Sequence, residues 1–168
     1  MATILGISNS HALCTRAQTL AAYIIMHLQV STQRDSELWN LSQADSQDES
    51  LLFEKIMAAE IVVLSATLLN HSQTSLFNYI NPKLLAGKIV LLSGTGSSYQ
   101  HAQILETQLR PVLTVFGAKP VATAIFAGNS DFLEQELVNL LVKDQIGVAI
   151  VEVVHLLAGC AAASAKAA

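Results

Sequence analysis

Positive charge is scarce in this chain. Nine Lys and Arg stand against thirteen Asp and Glu, the formal net charge is −4, and no basic run occurs, so the electrostatic footprint of a nucleic-acid binder is missing. Any anion must be held largely by backbone N–H groups and hydroxyls. Cysteine is equally sparse: Cys14 and Cys160 lie far apart and match neither a zinc spacing nor a secreted disulfide framework, which points to a reducing, cytoplasmic compartment. The five histidines, at 11, 27, 71, 101 and 155, never fall at i, i+4 spacing with another ligand, so no metal site is signalled. A G-x-S-x-G elbow and a Walker loop are absent, and Cys14 has no evident His partner, which leaves hydrolase and nucleoside-triphosphatase chemistry little support. No basic segment with an apolar core and small-residue cleavage site opens the chain, so no signal peptide is expected. Repeats and linkers are not evident either, and the expectation is one domain over residues 1–160 with a frayed Ala-rich tail at 161–168.

Apolar material, by contrast, is plentiful: 52% of the residues are hydrophobic, ample for a core. Runs of strand length occur at Thr3–Ser8, Glu37–Leu41, Ile61–Ser65, Lys88–Ser93 and Val121–Phe126. Helical spacing follows Thr15 (Leu20, Tyr23, Ile24, His27), a capping Asp48 (Leu51, Leu52, Ile56, Met57), and Ser72 or Thr74 (Leu76, Phe77, Ile80). Runs such as IVVLS and KIVLLS are apolar throughout, as suits parallel strands buried on both faces. Five strands alternating with helices predict an α/β fold, an open doubly wound parallel sheet with helices on both faces.

Residues 146–165 read IGVAIVEVVHLLAGCAAASA, close to the roughly 20 residues that span a bilayer. Glu152 and His155 in mid-segment argue against a span. The segment is expected to be a helix packed on the domain or on a second subunit, as in a homodimer or homotetramer, with no membrane partner.

In doubly wound folds ligands sit beyond the carboxyl ends of the strands, near the switch point. Three loops come into view there. The first, Ser8–Thr15, offers Ser8, Asn9, Ser10 and Thr15 beside a helix start, whose unpaired N–H groups and dipole favour an anion; Ser10 or Thr15 can equally be a plain N-cap. The second, ATLLNHSQTS (66–75), sets Asn70, His71, Ser72 and Thr74 beside Leu68 and Leu69, a mixture suited to the edge of a flat heterocycle. The third, SGTGSSYQH (93–101), combines Gly94 and Gly96 with the donors Thr95, Ser97 and Ser98 and an aromatic face at Tyr99.

With these loops, the run LLAGKIVLLSGTGSSYQHAQILETQLRPVLTVFGAKPVATAIFAGNSDF (84–132) resembles the NADPH-dependent FMN reductase family of flavodoxin-like proteins. The resemblance is closest to the branch that feeds reduced flavin to sulfonate monooxygenases and covers roughly residues 3–132. The phrase G-K-[IV]-V-L, a T-G-rich loop with a following His, L-[KR]-P-V-L and V/I-F-A occur in that branch's order. The third loop keeps Thr95, Gly96 and His101 of T-G-G-[ST]-x-x-H, with Ser97 replacing a glycine and Ser98 in the hydroxyl position. The first loop of the family, G-S-P-R-x-x-S-x-T, is here Asn9 to Ala17: Ser10 is kept, Thr15 replaces a serine, and the glycine, proline and arginine are gone. The second keeps Ser72, Thr74, Leu76 and Phe77 but lacks the Pro and Tyr of T-P-x-Y.

The resemblance implies hydride transfer from NADPH or NADH to FMN, with the protein stacking two rings and holding the flavin rim. It places the phosphate on Ser10, Thr15 and the adjacent helix N-terminus, and the ring on Leu68, Leu69, Asn70, Thr95, Gly96, Ser97 and Ser98; Ser8 is a further cofactor-binding candidate of the first loop, Arg16 a candidate to supply the missing charge from a neighbouring position, and His101 either orients the third loop or contacts the ring. Loss of the loop arginine, at about 1.5–3 kcal/mol per charge-assisted bond, weakens FMN binding roughly tenfold to a hundredfold, which suits flavin as a substrate better than as a prosthetic group. A monooxygenase partner is implied as well. Two other readings stay open: a non-catalytic binding or assembly module with a degraded flavin site, and a flavin-dependent quinone or azo reductase.

Overall fold

The computed structural model describes residues 3–9, 15–41, 48–68 and 80–167. Strand β1 (Thr3–Asn9) is followed by α1 (Arg16–Thr32), β2 (Ser36–Asn40), α2 (Asp48–Ala58) and β3 (Ala59–Thr67). Then come β4 (Ile89–Gly96), a helix α3 over residues 102–115, β5 (Lys119–Pro120), β6 (Ile125–Gly128), a hairpin of β7 (Phe132–Leu133) and β8 (Glu136–Leu137), and α4 (Leu140–Ala167). The main sheet is parallel throughout in the order β2-β1-β3-β4, with β5 and β6 both paired to the far side of β4. This is the flavodoxin-like doubly wound order. The chain turns back between β1 and β3, so the switch point lies there.

The continuous apolar strands are buried on both faces, as their composition requires. Leu5, Ile7, Val62, Leu64, Val90 and Leu92 pack with Leu52 and Ile56 of α2 and Leu105, Leu109 and Leu113 of α3. On the other face Ile4, Ile61, Val63, Ile89 and Leu91 meet Leu20, Ile24 and Leu28 of α1 and Val142, Ile146 and Val153 of α4. Each such side chain contributes about 1.5–3 kcal/mol relative to exposure. Helix α1 starts on Thr15, whose hydroxyl accepts from Gln18 N–H at 3.4 Å, and stops at Gln33, left-handed at φ 55°. Its inner face passes so close to β1 that a Cβ on Gly6 would lie 2.1 Å from Ile25 Cδ1.

Three expectations shift. The fifth strand, read as one run from Val121 to Phe126, is split: Arg110 donates to the carbonyls of Val121 and Ala122 (2.6 and 2.7 Å), and the Glu152 carboxylate accepts from Thr123 N–H and Oγ1 (2.9 and 2.8 Å). Side chains thus take the bonds a ladder would have used. In α2, Leu52 and Ile56 face inward while Leu51 and Met57 are exposed. The C-terminal helix runs on to Ala167 instead of ending before the Ala-rich tail. By length and composition Leu140–Ala162 could cross a membrane; in this fold its Val142, Ile146, Ala149 and Val153 lie in the core, and Glu152 binds Thr123.

Candidate functional site

A cleft of about 450 Å³ opens at the carboxyl edge of the sheet, within the range of small-molecule sites. One wall is the start of α1, where Thr15 and Arg16 line the opening. The first N–H groups of that helix, on Arg16 and Ala17, have no acceptor within it, and the helix dipole adds partial positive charge. Arg16 Nη1 donates to Asn129 Oδ1 at 3.1 Å, joining this wall to the end of β6. The floor comes from paired ends of β3 and β4: Thr67 lies opposite Thr95, and Gly96 and Ser97 continue the lining. Leu68 N–H donates to Thr95 O at 2.7 Å, which extends the pairing past the end of β3. A Cβ at Gly96 would come within 2.8 Å of His101 Nδ1 and 3.0 Å of Leu68 O, so the backbone approaches here as only glycine allows.

The far rim is the β7–β8 hairpin, whose two-residue turn presents Glu134 and Gln135 to the cleft. Glu134 is left-handed at φ 55°, an uncommon backbone for a residue with a Cβ. Arg16 and Glu134 are the charged residues among the described lining; hydroxyls and amides supply the rest.

Behind the cleft lies a buried carboxylate. Asp131 is 2% exposed; its Oδ2 accepts from Tyr99 Oη and Gly128 N–H, each at 2.6 Å, and its Oδ1 from Asn139 Nδ2 at 2.6 Å. Burial by itself would raise its pKa, but the three donors from Tyr99, Asn139 and Gly128 outweigh it and hold the carboxyl below its ordinary value. Tyr99 is pushed the other way, up to about 12, first by its hydrogen bond to Asp131, then by burial and by the neighbouring negative charge.

The structure gathers Thr15, Arg16, Thr95, Gly96 and Ser97 of the residues singled out from sequence around the cleft. Ser10, Leu69 and Asn70 lie outside the described residues, as do Cys14, His71, Ser72, Thr74, Leu76 and Phe77. Ser8 is fully buried in β1 and donates to Trp39 O at 3.4 Å, inside the sheet. Leu68 is also fully buried, packed in the core on the α2–α3 face, so its side chain is not a platform for a ring. Ser98 caps the turn Tyr99–His101 by accepting from Gln100 N–H, and Tyr99, read as an aromatic face for a ligand, meets Phe126 edge-on at 5.4 Å and stays half exposed. His101 packs its buried Nδ1 against Gly96, with no hydrogen-bond partner among the described residues. Thr67, Asn129, Glu134 and Gln135 were not anticipated; the polar string G-N-S-D after an apolar strand was the available signal for Asn129.

The donor set fits a flavin mononucleotide: neutral hydroxyls and backbone N–H groups for a ring rim, and a helix start with one guanidinium for a phosphate. Among curated proteins, the NAD(P)H-dependent FAD/FMN reductase of Geobacillus thermodenitrificans is 28% identical over 116 residues, 66% of this chain and 63% of its own length. The NADH-dependent FMN reductase SfnF of Pseudomonas fluorescens is 29% identical over 100 residues, 57% of this chain and 54% of its own length. The chain thus spans between about half and two thirds of these relatives. Among solved structures, an NADH:FMN oxidoreductase in its apo form superposes with a TM-score of 0.77 at 21% identity, covering 89% of this chain and 87% of that one, a likeness of fold. The family profile of the NADPH-dependent FMN reductases matches residues 4–132, the stretch that carries the first four strands, the third loop and β6, and the chain belongs to that family.

Proposed function

We propose that the chain is an NAD(P)H-dependent FMN reductase that takes flavin as an exchangeable substrate. The observation that carries this is the cleft at the carboxyl edge, where the α1 N-terminus with Arg16 faces the hydroxyl-lined β3–β4 floor. Thr15, Arg16 and the first N–H groups of α1 hold the phosphate; Thr67, Thr95, Gly96 and Ser97 hold the ring rim. When bound, FMN supplies the two-electron acceptor and NAD(P)H the hydride. The protein's own work is to orient the rings and offer backbone N–H groups to charge on the reduced ring, and it needs no side-chain acid, base or nucleophile. One cationic side chain in the described lining suits reversible binding. The names of the relatives support the reading, since they include NADH-dependent, NADPH-dependent and NAD(P)H-dependent flavin reductases.

Release of reduced flavin to a monooxygenase, as in the sulfonate branch, extends this proposal. So do a cytoplasmic setting and self-association through α4, where Leu141, Val148 and Val151 are exposed. Purified protein titrated with FMN should quench flavin fluorescence and oxidise NADPH or NADH in a flavin-dependent way. No binding at high micromolar FMN, together with no oxidation above the free-flavin background, would sink the proposal.

A further inference from the structure

We propose that Asp131 is a positioning residue that keeps three walls of the cleft in register, although it does not line the cleft itself. Its carboxylate adds side-chain bonds beyond the ends of the β4–β6 ladder, where Gly96 lies opposite Gly128, and carries the connection on to the start of α4. Through Tyr99 Oη it holds the third loop just after the lining residues Thr95, Gly96 and Ser97. Through Gly128 N–H it fixes the residue before Asn129, the partner of Arg16. Through Asn139 Nδ2 it reaches the residue that starts α4, whose Oδ1 accepts from Leu141 N–H. Its backbone carbonyl closes the base of the β7–β8 hairpin by accepting from Val138 N–H at 2.8 Å, and that hairpin carries Glu134 and Gln135.

Among the described residues no cation pairs with Asp131; it is held by neutral donors, and each donor sits on a different element. A buried carboxylate in that arrangement is a costly way to stabilise a fold and an effective way to fix geometry. Tyr99 then acts through its hydroxyl on the loop backbone rather than as a ligand contact.

The test rests on the flavin reading above but has an arm free of it. In FMN-free protein, Tyr99→Phe should speed amide hydrogen exchange at residues 95–98 while exchange in β3 stays as in the wild type. In the same variant the FMN dissociation constant should rise about three- to tenfold, less than for a lost ligand contact because Tyr99 acts on the ligand only through the loop, and KM for FMN should rise more than kcat falls. Asp131→Asn sets an amide NH2 against one of the three donors; faster exchange should then reach the hairpin as well. If Asp131→Asn does not fold, Tyr99→Phe carries the test alone. An unchanged FMN dissociation constant, an unchanged exchange rate at 95–98, or equal acceleration in β3 overturns the proposal. A wild type that fails to bind FMN overturns the assigned function instead, and exchange then decides the positioning role by itself.

Discussion

The two ends of the cleft are built in different ways. The end formed by the third loop, the β6 terminus and the hairpin is tied to one buried carboxylate by three bonds of 2.6 Å. The end formed by the start of α1 is held from the core side by Ser65 Oγ, which donates to Ala17 O at 2.8 Å, while on its cleft side the bonds among the described residues are a long cap bond of 3.4 Å and an exposed bond of 3.1 Å from Arg16 to Asn129. A charge-assisted network centred on a buried carboxylate holds its geometry before any ligand arrives, whereas a fully exposed bond competes with water. On the proposed reading, the side chains lining the ring end are the more preorganised, and Arg16 at the phosphate end is the more adaptable. The same division runs through the sequence: the third loop keeps the family's Thr, Gly and His, and the first loop has lost its Gly, Pro and Arg.

The comparison is broken most forcefully at Asp131. Asp131→Ala leaves Gly128 N–H, Asn139 and Tyr99 without their acceptor and should cost about 3 kcal/mol of stability, measured by urea unfolding; a loss under roughly 1 kcal/mol would mean the network is dispensable. Next comes Gly96→Ala. Its Cβ must displace the His101 ring or the Leu68 carbonyl, an overpacking change of about 1–3 kcal/mol, and thermal melting should fall together with FMN affinity. Retained affinity would show that this approach of backbone to cleft is not used by the ligand.

How much of this was readable in advance depends on whether the signal was local. The parallel strands were, because IVVLS and KIVLLS are apolar at every position and only a doubly covered sheet buries both faces. The split fifth strand was not: its bonds go to Arg110 and Glu152, 11 and 29 positions from the carbonyls and N–H they engage. Thr95, Gly96 and Ser97 were legible as a glycine and hydroxyl loop after a buried strand. Ser8 and Leu68 had the same kind of credentials, but their placement turns both side chains inward, which composition does not reveal. Glu134 and Gln135 escaped because a hairpin with two residues per strand has no periodicity, and its left-handed turn position holds Glu where Asn or Gly would have signalled it.

The phosphate end gives a smaller, purely functional effect. Arg16→Ala should weaken FMN about tenfold, or ~1.4 kcal/mol, and leave the melting temperature nearly unchanged because its hydrogen bond to Asn129 is exposed. Riboflavin, which lacks the phosphate, should lose far less affinity in the same variant. Equal losses for both flavins would remove Arg16 from the phosphate site.

The smallest effect concerns the proton that Tyr99 keeps. Its folded pKa of about 12 lies above the ordinary value of 10.0, so the folded state holds the proton that the unfolded chain gives up. The resulting stabilisation is fully present below pH ~10 and is lost as pH climbs toward ~12. Asp131 has the opposite sign: with its pKa lowered, its contribution is complete above the ordinary carboxyl value and fades as pH falls through the folded one. Tyr99 is 56% exposed, so solvent screens the interaction and its share is modest. The gap in melting temperature between wild type and Tyr99→Phe should therefore narrow on passing from neutral pH to pH ~11, where the unfolded phenol is ionised. A gap that stays constant over that range would mean the Tyr99 hydroxyl is not bound to a charged Asp131, and the ring end of the cleft would then be no better anchored than the phosphate end.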